Sequence, residues 1–251
     1  MTETARQIAL DAADLGIEKG DVLFVHSSLR SLGGATPQDV IDGLLSALGE
    51  DGTLVLPALS YMHCNPNQRC FDYNCTPSNV GALPEYFRTQ VKGVVRSINP
   101  THSCCALGKN AEYITSGHIL DKTPCGENSP FRRLKNLGGK ILFLGCGMRP
   151  NTSMHAVEEL SQPDYLFGDS YEYQITDSKG NSQTLICAAH NFKGVEQRYE
   201  RLADLLQGDE LRVGNILSAN CHLVKTIPMW EKADKKYREE PHYFIDLSQE
   251  N

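Results

Sequence analysis

The chain has 251 residues, of which 40% are hydrophobic, a length and composition typical of one globular domain with a substantial core. Its formal net charge of −7 at pH 7 argues against a nucleic-acid-binding protein, which usually presents a basic face. Residues 1–9 lack the apolar stretch of a signal peptide, and the longest apolar runs are only as long as a strand. We therefore expect one cytoplasmic domain over residues 1–251, with no membrane contact.

Helices and strands are predicted to alternate along the first part of the chain. Helices are expected over residues 5–15, 37–48 and 83–90, and strands over residues 21–26, 53–57 and 94–98. Thr36 and Pro37 are typical of the cap and the first position of a helix, and Gly49 ends the apolar stripe that follows them. A strand, a helix and a strand in this order predict a right-handed crossover between parallel strands.

The remaining elements complete a mixed pattern. A loop is expected over residues 60–78, a strand over 140–146, a helix over 151–160, antiparallel strands over 169–176 and 182–188, and a helix over 195–206. The segment after Val213 is amphipathic and receives no assignment. Together these elements predict an α/β fold, a three-layer α/β/α sandwich around a mixed, largely parallel sheet.

Three polar clusters come directly after predicted strands, at residues 26–28, 101–103 and 151–152. In open α/β sheets the ligand-binding crevice lies at the carboxyl ends of the strands, so we expect these clusters to surround one site. Their hydroxyl and imidazole groups can bind the amide or phosphate groups of a cofactor. Taken singly, each cluster is also typical of an ordinary polar strand end.

The helix predicted over residues 151–160 carries a histidine and carboxylates on one face. Spacings of three and four residues place Thr152, His155, Glu158 and Glu159 on neighbouring parts of that face. A histidine backed by a carboxylate is the arrangement of a general base, because the carboxylate fixes the tautomer and stabilises the imidazolium. The alternative is an N-capped helix with an exposed polar face.

The nine cysteines contain no Cys-x-x-Cys pair, and in a reducing compartment they are expected to be free thiols. The nearest approach to a metal site is formed by four residues whose spacing matches no common zinc motif: His63, Cys64, Cys70 and Cys75. Cys104 and Cys105 lie beside His102, which raises the alternative of a thiol nucleophile. Small paired residues in a strand are more typical of a core. We therefore expect neither a metal nor a thiol nucleophile.

Six motifs follow one another within the stretch from about residue 10 to about residue 165. They are residues 25–33, residues 51–57, residues 71–72 with 76–78 and 81–83, residues 100–103, residues 121–124 with 126–130, and residues 151–155 with Glu158. In this order they resemble the aminoglycoside 3-N-acetyltransferase family. The resemblance implies an α/β/α acetyltransferase unrelated to the GNAT fold, which uses acetyl-CoA and no metal. It also implies direct transfer in a ternary complex, without a covalent enzyme intermediate.

The resemblance assigns roles by position. His155 would be the general base, Glu158 would orient it, and Thr152 would lie near the reacting thioester. The acetyl-pantetheine channel would be lined by Ser27, Ser28, Leu29, Thr76, Ser78, Thr101, His102 and Ser103. The acceptor side would carry the carboxylates Asp72, Glu127 and Glu159. An unperturbed histidine, with a pKa of about 6.5, suits the removal of a proton from a sugar ammonium near neutral pH.

Departures from the family pattern concern the acceptor. Cys75 and Cys125 stand where other residue types are usual, and residues 159–167 differ from the resistance enzymes where acceptors are sensed. The expected acceptor is a small-molecule amine, either a biosynthetic amino sugar or an aminoglycoside. Two other functions stay open, a thioesterase or amidase that uses His155 and a water, and a non-catalytic CoA- or sugar-binding protein. The sequence leaves open whether the chain forms a homodimer.

Overall fold

The structure, a computed structural model, describes residues 1–248 and has a seven-stranded sheet at its centre. In spatial order the strands are β10 (Leu211–Ile216), β11 (Ala219–Lys225), β6 (Lys140–Leu144), β1 (Val22–Ser27), β2 (Thr53–Pro57), β5 (Cys104–Gly108) and β4 (Val95–Arg96). Strand β1 pairs in parallel with β2 and with β6, while the four other pairings are antiparallel. The predicted mixed sheet is confirmed, but its parallel part is confined to the three central strands.

The length of the connection explains the direction of pairing for two pairs of neighbouring strands. The turn between β10 and β11 contains only Leu217 and Ser218, and a connection of that length can join only antiparallel neighbours. The parallel neighbours β1 and β2 are instead joined through a helix, as a crossover requires. The prediction of a largely parallel sheet was therefore wrong for both edges.

Helices cover both faces of this sheet, which confirms the three layers. They are α1 (Glu3–Leu15), α2 (Pro37–Leu48) and α3 (Ala82–Gln90) on one face, and α4 (Ala111–Thr115), α5 (Pro130–Asn136), α6 (Ser153–Ser161) and α7 (Thr226–Glu239) on the other. The predicted cap of α2 is confirmed. Thr36 Oγ1 accepts from the Asp39 N–H at 3.1 Å, and the Asp39 carboxylate accepts in return from the Thr36 N–H at 3.0 Å. No helix within residues 1–248 is long and apolar enough to cross a membrane.

The alternation of side chains along β1 determines which residues reach the candidate site. Leu23 and Val25 are buried in the core under α1 and α2, while Phe24 is buried in the opposite core under α6 and α7. His26 lies two residues after Phe24 and therefore on the same face of β1. Its ring stacks on Phe143 of β6 with a centroid distance of 5.3 Å. His26 therefore lies under the start of α6.

A second sheet of three strands lies beside the central one. It consists of β3 (Cys70–Asp72), β7 (Phe167–Thr176) and β8 (Ser182–His190), and it has a small core of its own that includes Phe71, Tyr173 and Ile175. The antiparallel pairing of β7 and β8 confirms the pair predicted over residues 169–176 and 182–188. A further pair joins β9 (Val195–Gln197) to β12 (Ile245–Leu247).

Two predicted elements were wrong. Residues 60–78 were predicted as a loop but contain β3, whose three residues pair with β7, a partner about a hundred positions away along the chain. Residues 195–206 were predicted as a helix but form β9 and a 3₁₀ helix over Tyr199–Asp204. Pairing with β12 overrides the local helical pattern. The unassigned segment after Val213 supplies most of the β10–β11 hairpin and α7.

Candidate active site

A cavity of about 700 Å³ opens at the edge of the central sheet where β1, β2 and β6 end. The residues of its wall, named below as the cavity wall, are Leu59, Tyr61, Cys64, Asn65, Pro66, Val80, Thr101, His102, Cys146, Arg149, Pro150, Asn151, Thr152, His155, Tyr173, Ala189, His190, Phe192, Gln197 and Tyr199. Leu59 follows β2 and Cys146 follows β6, so the cavity lies at the carboxyl ends of these two strands. This is the place predicted for a site.

Two of the three predicted polar clusters contribute directly to the cavity wall. Thr152 and His155 come from the start of α6, and Thr101 and His102 come from the loop before β5. The cluster at residues 101–103 was expected at this edge because it would follow a strand, but it precedes one. Strand β5 runs antiparallel to β2, so its first residue, Cys104, lies opposite Pro57 at the end of β2. The first cluster, residues 26–28, ends β1 beside the cavity wall.

His155 and Glu158 form a hydrogen-bonded pair in one turn of α6. His155 Nδ1 lies 2.9 Å from Oε2 of Glu158, whose side chain is completely buried. Three tyrosine hydroxyls also donate to this carboxylate, those of Tyr199 at 2.8 Å, Tyr165 at 2.9 Å and Tyr237 at 3.0 Å. Burial opposes ionisation, but the hydrogen bonds from His155 and the tyrosines outweigh it and hold the pKa of Glu158 below its usual value.

This arrangement fixes the direction in which His155 can act. The ionised Glu158 accepts the Nδ1 proton of His155, so the neutral ring carries its lone pair on Nε2. Nε2 makes no hydrogen bond to any of residues 1–248, and the ring forms part of the cavity wall. Burial and the charge of Glu158 raise the pKa of Tyr199 well above its usual value, so its hydroxyl stays a donor. A ligand in the cavity therefore meets a free imidazole base.

Three further histidines surround this base in neutral form. His102 lies with its ring centroid 5.6 Å from that of His155, and burial lowers its pKa well below the usual value. His190 lies 5.3 Å away, and burial lowers its pKa although it contacts Glu159. Burial and the neighbouring His155 lower the pKa of His26 to about 3. His26 Nε2 consequently accepts from the Thr152 N–H, at 3.4 Å.

The three carboxylates predicted on the acceptor side do not contribute to the cavity wall. Glu159 is buried behind His190, where it accepts from Thr123 Oγ1 at 2.5 Å, the Cys125 N–H at 2.7 Å and His190 Nε2 at 2.8 Å. Asp72 accepts from the backbone of the turn that follows β3, and Glu127 is exposed elsewhere on the surface. Glu158 and Glu159 point away from α6 in different directions, as adjacent residues of a helix do, so Glu158 contacts His155 whereas Glu159 contacts His190.

The eight residues predicted to hold the cofactor are divided by the structure. Only Thr101 and His102 belong to the cavity wall, whereas six lie next to it or behind it: Ser27, Ser28, Leu29, Thr76, Ser78 and Ser103. The Ser103 hydroxyl is fully buried, donates to Ala58 O at 2.8 Å and accepts from Arg96 Nε at 3.0 Å. The Ser103 hydroxyl thus holds the loop in place.

Several residues of the cavity wall were missed by the sequence analysis. They come from the end of β8 and from β9 onward, and they are His190, Phe192, Gln197 and Tyr199. The Phe192 ring stacks on His155 with a centroid distance of 5.0 Å and an interplanar angle of 28°. His190 could have been found as a polar strand end. Tyr199 was hidden by the incorrect helix prediction over residues 195–206.

The cysteines offer no activated thiol near the base. All nine are free, and no group of three or more His, Cys, Asp or Glu side chains within residues 1–248 is placed to hold a metal ion. Burial raises the pKa of Cys105 to about 12 and that of Cys104 well above its usual value. Neither thiol therefore becomes a thiolate nucleophile near neutral pH.

Incubation with acetyl-CoA alone is expected to leave the enzyme unmodified, because the buried thiols stay protonated. Intact-mass spectrometry checks this directly. Cys105→Ala, which removes one sulfur from the core, is expected to keep its activity once its fold is verified by circular dichroism. A stoichiometric acetyl adduct on Cys105 would show a covalent route and contradict direct transfer.

Comparisons with known proteins identify the family. The model of the family described as aminoglycoside 3-N-acetyltransferase matches residues 24–238. Aminoglycoside N(3)-acetyltransferase IV of a Salmonella species is 35% identical over 156 residues, which are 61% of this chain and 57% of that protein. Aminoglycoside N(3)-acetyltransferase III, also from Salmonella, is 32% identical over 209 residues, 76% of this chain and 73% of that protein.

A solved structure shows the same architecture. AAC-IIIb, solved as a binary complex with CoASH, matches with a TM-score of 0.79 and 25% sequence identity over 97% of this chain and 97% of that chain. The alignment with the Salmonella relative IV spans less than two thirds of that protein, whereas this structural match is nearly complete. The family model covers most of this chain. The resemblance found in the sequence is thereby confirmed, and the chain belongs to the aminoglycoside 3-N-acetyltransferase family.

Proposed function

We propose that the protein transfers the acetyl group of acetyl-CoA to an amino group of an amino sugar or an aminoglycoside-like acceptor. The observation that carries this proposal is the His155–Glu158 pair, with Nε2 of His155 free at the cavity wall. Family membership supports N-acetyl transfer as the reaction. The complex of AAC-IIIb with CoASH supports a coenzyme A thioester as the donor.

The residues present suit such a donor. A thioester and its pantetheine amides need hydrogen-bond donors, and the cavity wall supplies the Thr152 hydroxyl and the His102 ring. The proposed cofactor residues are Ser27, Ser28, Leu29, Thr76, Ser78, Thr101, His102 and Ser103, of which Thr101 and His102 have the most direct access. Acetyl-CoA supplies an activated acetyl group, so no covalent intermediate on the protein is needed.

His155 removes the proton that blocks the reaction. An ammonium group cannot attack a carbonyl carbon, and Nε2 of His155 accepts the proton as the nitrogen becomes nucleophilic. Glu158 holds the ring in the correct tautomer and stabilises the imidazolium that forms. Because Glu158 is held in place by three tyrosine hydroxyls, the base is oriented before any substrate arrives.

Donors at the cavity wall stabilise the negative charge that develops on the carbonyl oxygen. The Thr101 hydroxyl lies 2.8 Å from Nδ1 of His102, and burial keeps this ring neutral. When Thr101 donates to Nδ1, the proton of His102 is on Nε2. The neutral imidazole N–H of His102 and the Thr152 hydroxyl are then two side-chain donors in the wall that can stabilise this charge.

A thiol-release assay tests the function. We expect CoA to be released only when an amine acceptor is present, with initial-rate patterns of a ternary complex. Release at the same rate without an amine would favour the thioesterase or amidase alternative, in which His155 activates a water. Tight binding with no release under either condition would favour the non-catalytic alternative.

Acetyl-CoA is expected to raise the melting temperature, because a ligand that binds only the folded state stabilises it. At about one hundred times the dissociation constant the gain is about 2.7 kcal/mol, which for a chain of this size corresponds to about 5–10 °C. Differential scanning fluorimetry measures the shift, with acetate at the same concentration as a control. Calorimetry that detects no CoA binding up to millimolar concentrations would remove the donor from the proposal.

A further inference from the structure

The cavity wall has an unusual charge composition for a site that receives an amine. Its residues include three histidines and Arg149 but no aspartate or glutamate. Glu158 and Glu159, the nearest carboxylates in α6, are covered by His155 and His190 and have their oxygens occupied by hydrogen bonds. Arg149, the one permanently charged residue of the wall, pairs with Glu196.

This composition limits how many positive charges an acceptor can bring into the cavity. Each ammonium that leaves water needs a hydrogen-bonding partner, and a carboxylate is the most effective one. His102 and His190 cannot replace carboxylates, because burial keeps both rings neutral. Only the ammonium that loses its proton to His155 is accommodated without a fixed negative charge.

The same wall presents uncharged polar side chains, among them Gln197 and Thr152. Their amide and hydroxyl groups can donate hydrogen bonds to the hydroxyl groups of a ligand and accept hydrogen bonds from them. Tyr61, Tyr173 and Phe192 add ring faces suited to the C–H surfaces of a sugar.

We propose that the acceptor is a hydroxylated monoamine of sugar size, whose only ammonium is the one that is acetylated, and not a polycationic aminoglycoside. This inference rests on the proposed function and assigns a substrate class to the same site. The wall offers uncharged polar groups and aromatic ring faces that suit a sugar, and it lacks the carboxylates that further ammonium groups would need.

The first test compares two acceptors that differ in charge. Glucosamine carries one amine, and neamine is a small aminoglycoside that carries several. The wild-type enzyme is expected to show a kcat/KM for glucosamine about a hundredfold above that for neamine, because the additional ammonium groups lose water without gaining a carboxylate. Equal values, or a preference for neamine, would overturn the inference.

A variant that adds a carboxylate to the wall gives the matched test. Gln197→Glu places a negative charge at a residue of the cavity wall with little change in volume. It is expected to raise the ratio of kcat/KM for neamine to that for glucosamine by about tenfold. Gln183→Glu makes the same substitution at an exposed position of β8 outside the wall, and it should leave the ratio unchanged. A similar rise in both variants would show that only the surface charge matters and would contradict the proposal.

Binding measurements separate this inference from the proposed function. If neither amine is acetylated although acetyl-CoA binds, the proposed function fails, and calorimetry with the CoA-loaded protein then decides the acceptor class. Tighter binding of glucosamine than of neamine supports the hydroxylated monoamine. Tighter binding of neamine, or no binding of either amine, overturns it.

Discussion

Replacing His155 with alanine is expected to lower kcat by about 10²–10⁴-fold, the usual contribution of a positioned general base. His155 is the residue of the cavity wall that combines a free ring nitrogen with a direct contact to a buried, ionised carboxylate. The dissociation constant of acetyl-CoA should change little, because the base faces the amine. Stopped-flow or steady-state kinetics measure the loss, and His242→Ala, at an exposed histidine outside the wall, is the matched control.

Two further measurements distinguish a base from a residue that merely fills space. In the wild type, kcat should fall toward acid pH because the reaction needs an unprotonated base, and this dependence should vanish in His155→Ala. Glu158→Gln keeps the volume but loses the charge that orients and stabilises the ring, so a smaller loss of kcat is expected. A folded His155→Ala protein with near-normal turnover would show that another residue is the base. His102 would then be the leading candidate.

The elements whose apolar pattern is local were predictable from the sequence. Helix α2 could be predicted to within a residue, because Thr36, Pro37 and Gly49 mark its ends chemically. The strand over 53–57 was equally predictable, because it is a short, mostly apolar run. All five of its residues are buried in the structure. The strand β3 and the pair β9–β12 were not predictable, because each is held by pairing with a distant segment and has only three residues.

The candidate site was predictable in part for the same reason. His155 and Glu158 lie one turn apart on one helix, so their contact follows from spacing alone. The contacts of Tyr199 and Tyr237 with Glu158 cross between separate elements, and no local pattern indicates them. The carboxylates assigned to the acceptor side show what a motif does not reveal, because the oxygens of a charged residue in a matching motif, such as Glu159, can be occupied by buried hydrogen bonds.

Acidification from about pH 6.5 to about pH 4.5 is expected to remove about 5 kcal/mol from the free energy of unfolding, through two buried histidines. Burial lowers the pKa of His26 to about 3 and that of His118 to about 4. The His26 ring lies between Phe24 and Phe143. His118 is kept neutral by its complete burial, with Nδ1 3.0 Å from the Ser97 hydroxyl and Nε2 2.9 Å from the Pro124 carbonyl.

The direction follows from which state binds the proton. In the unfolded chain both histidines become protonated as the pH falls through about 6.5, while in the folded protein they stay neutral until about pH 4 for His118 and about pH 3 for His26. Each therefore costs about 1.4 kcal/mol per pH unit within its window. The free energy of unfolding therefore has its full value above about pH 6.5 and falls as the pH is lowered. Since domains are commonly stable by only about 5–15 kcal/mol, this loss is large.

Urea unfolding followed by circular dichroism at several pH values between 7 and 4.5 measures the loss. His118→Gln isolates one of the two histidines, because it removes the titrating group and keeps a side chain able to hydrogen-bond. Its stability at pH 7 should be lower than that of the wild type, since the amide fits the pocket less well. Its dependence on pH should nevertheless be shallower by about 1.4 kcal/mol per unit. A variant with the wild-type slope would show that His118 is protonated in the folded state, and that its burial does not make the protein sensitive to acid.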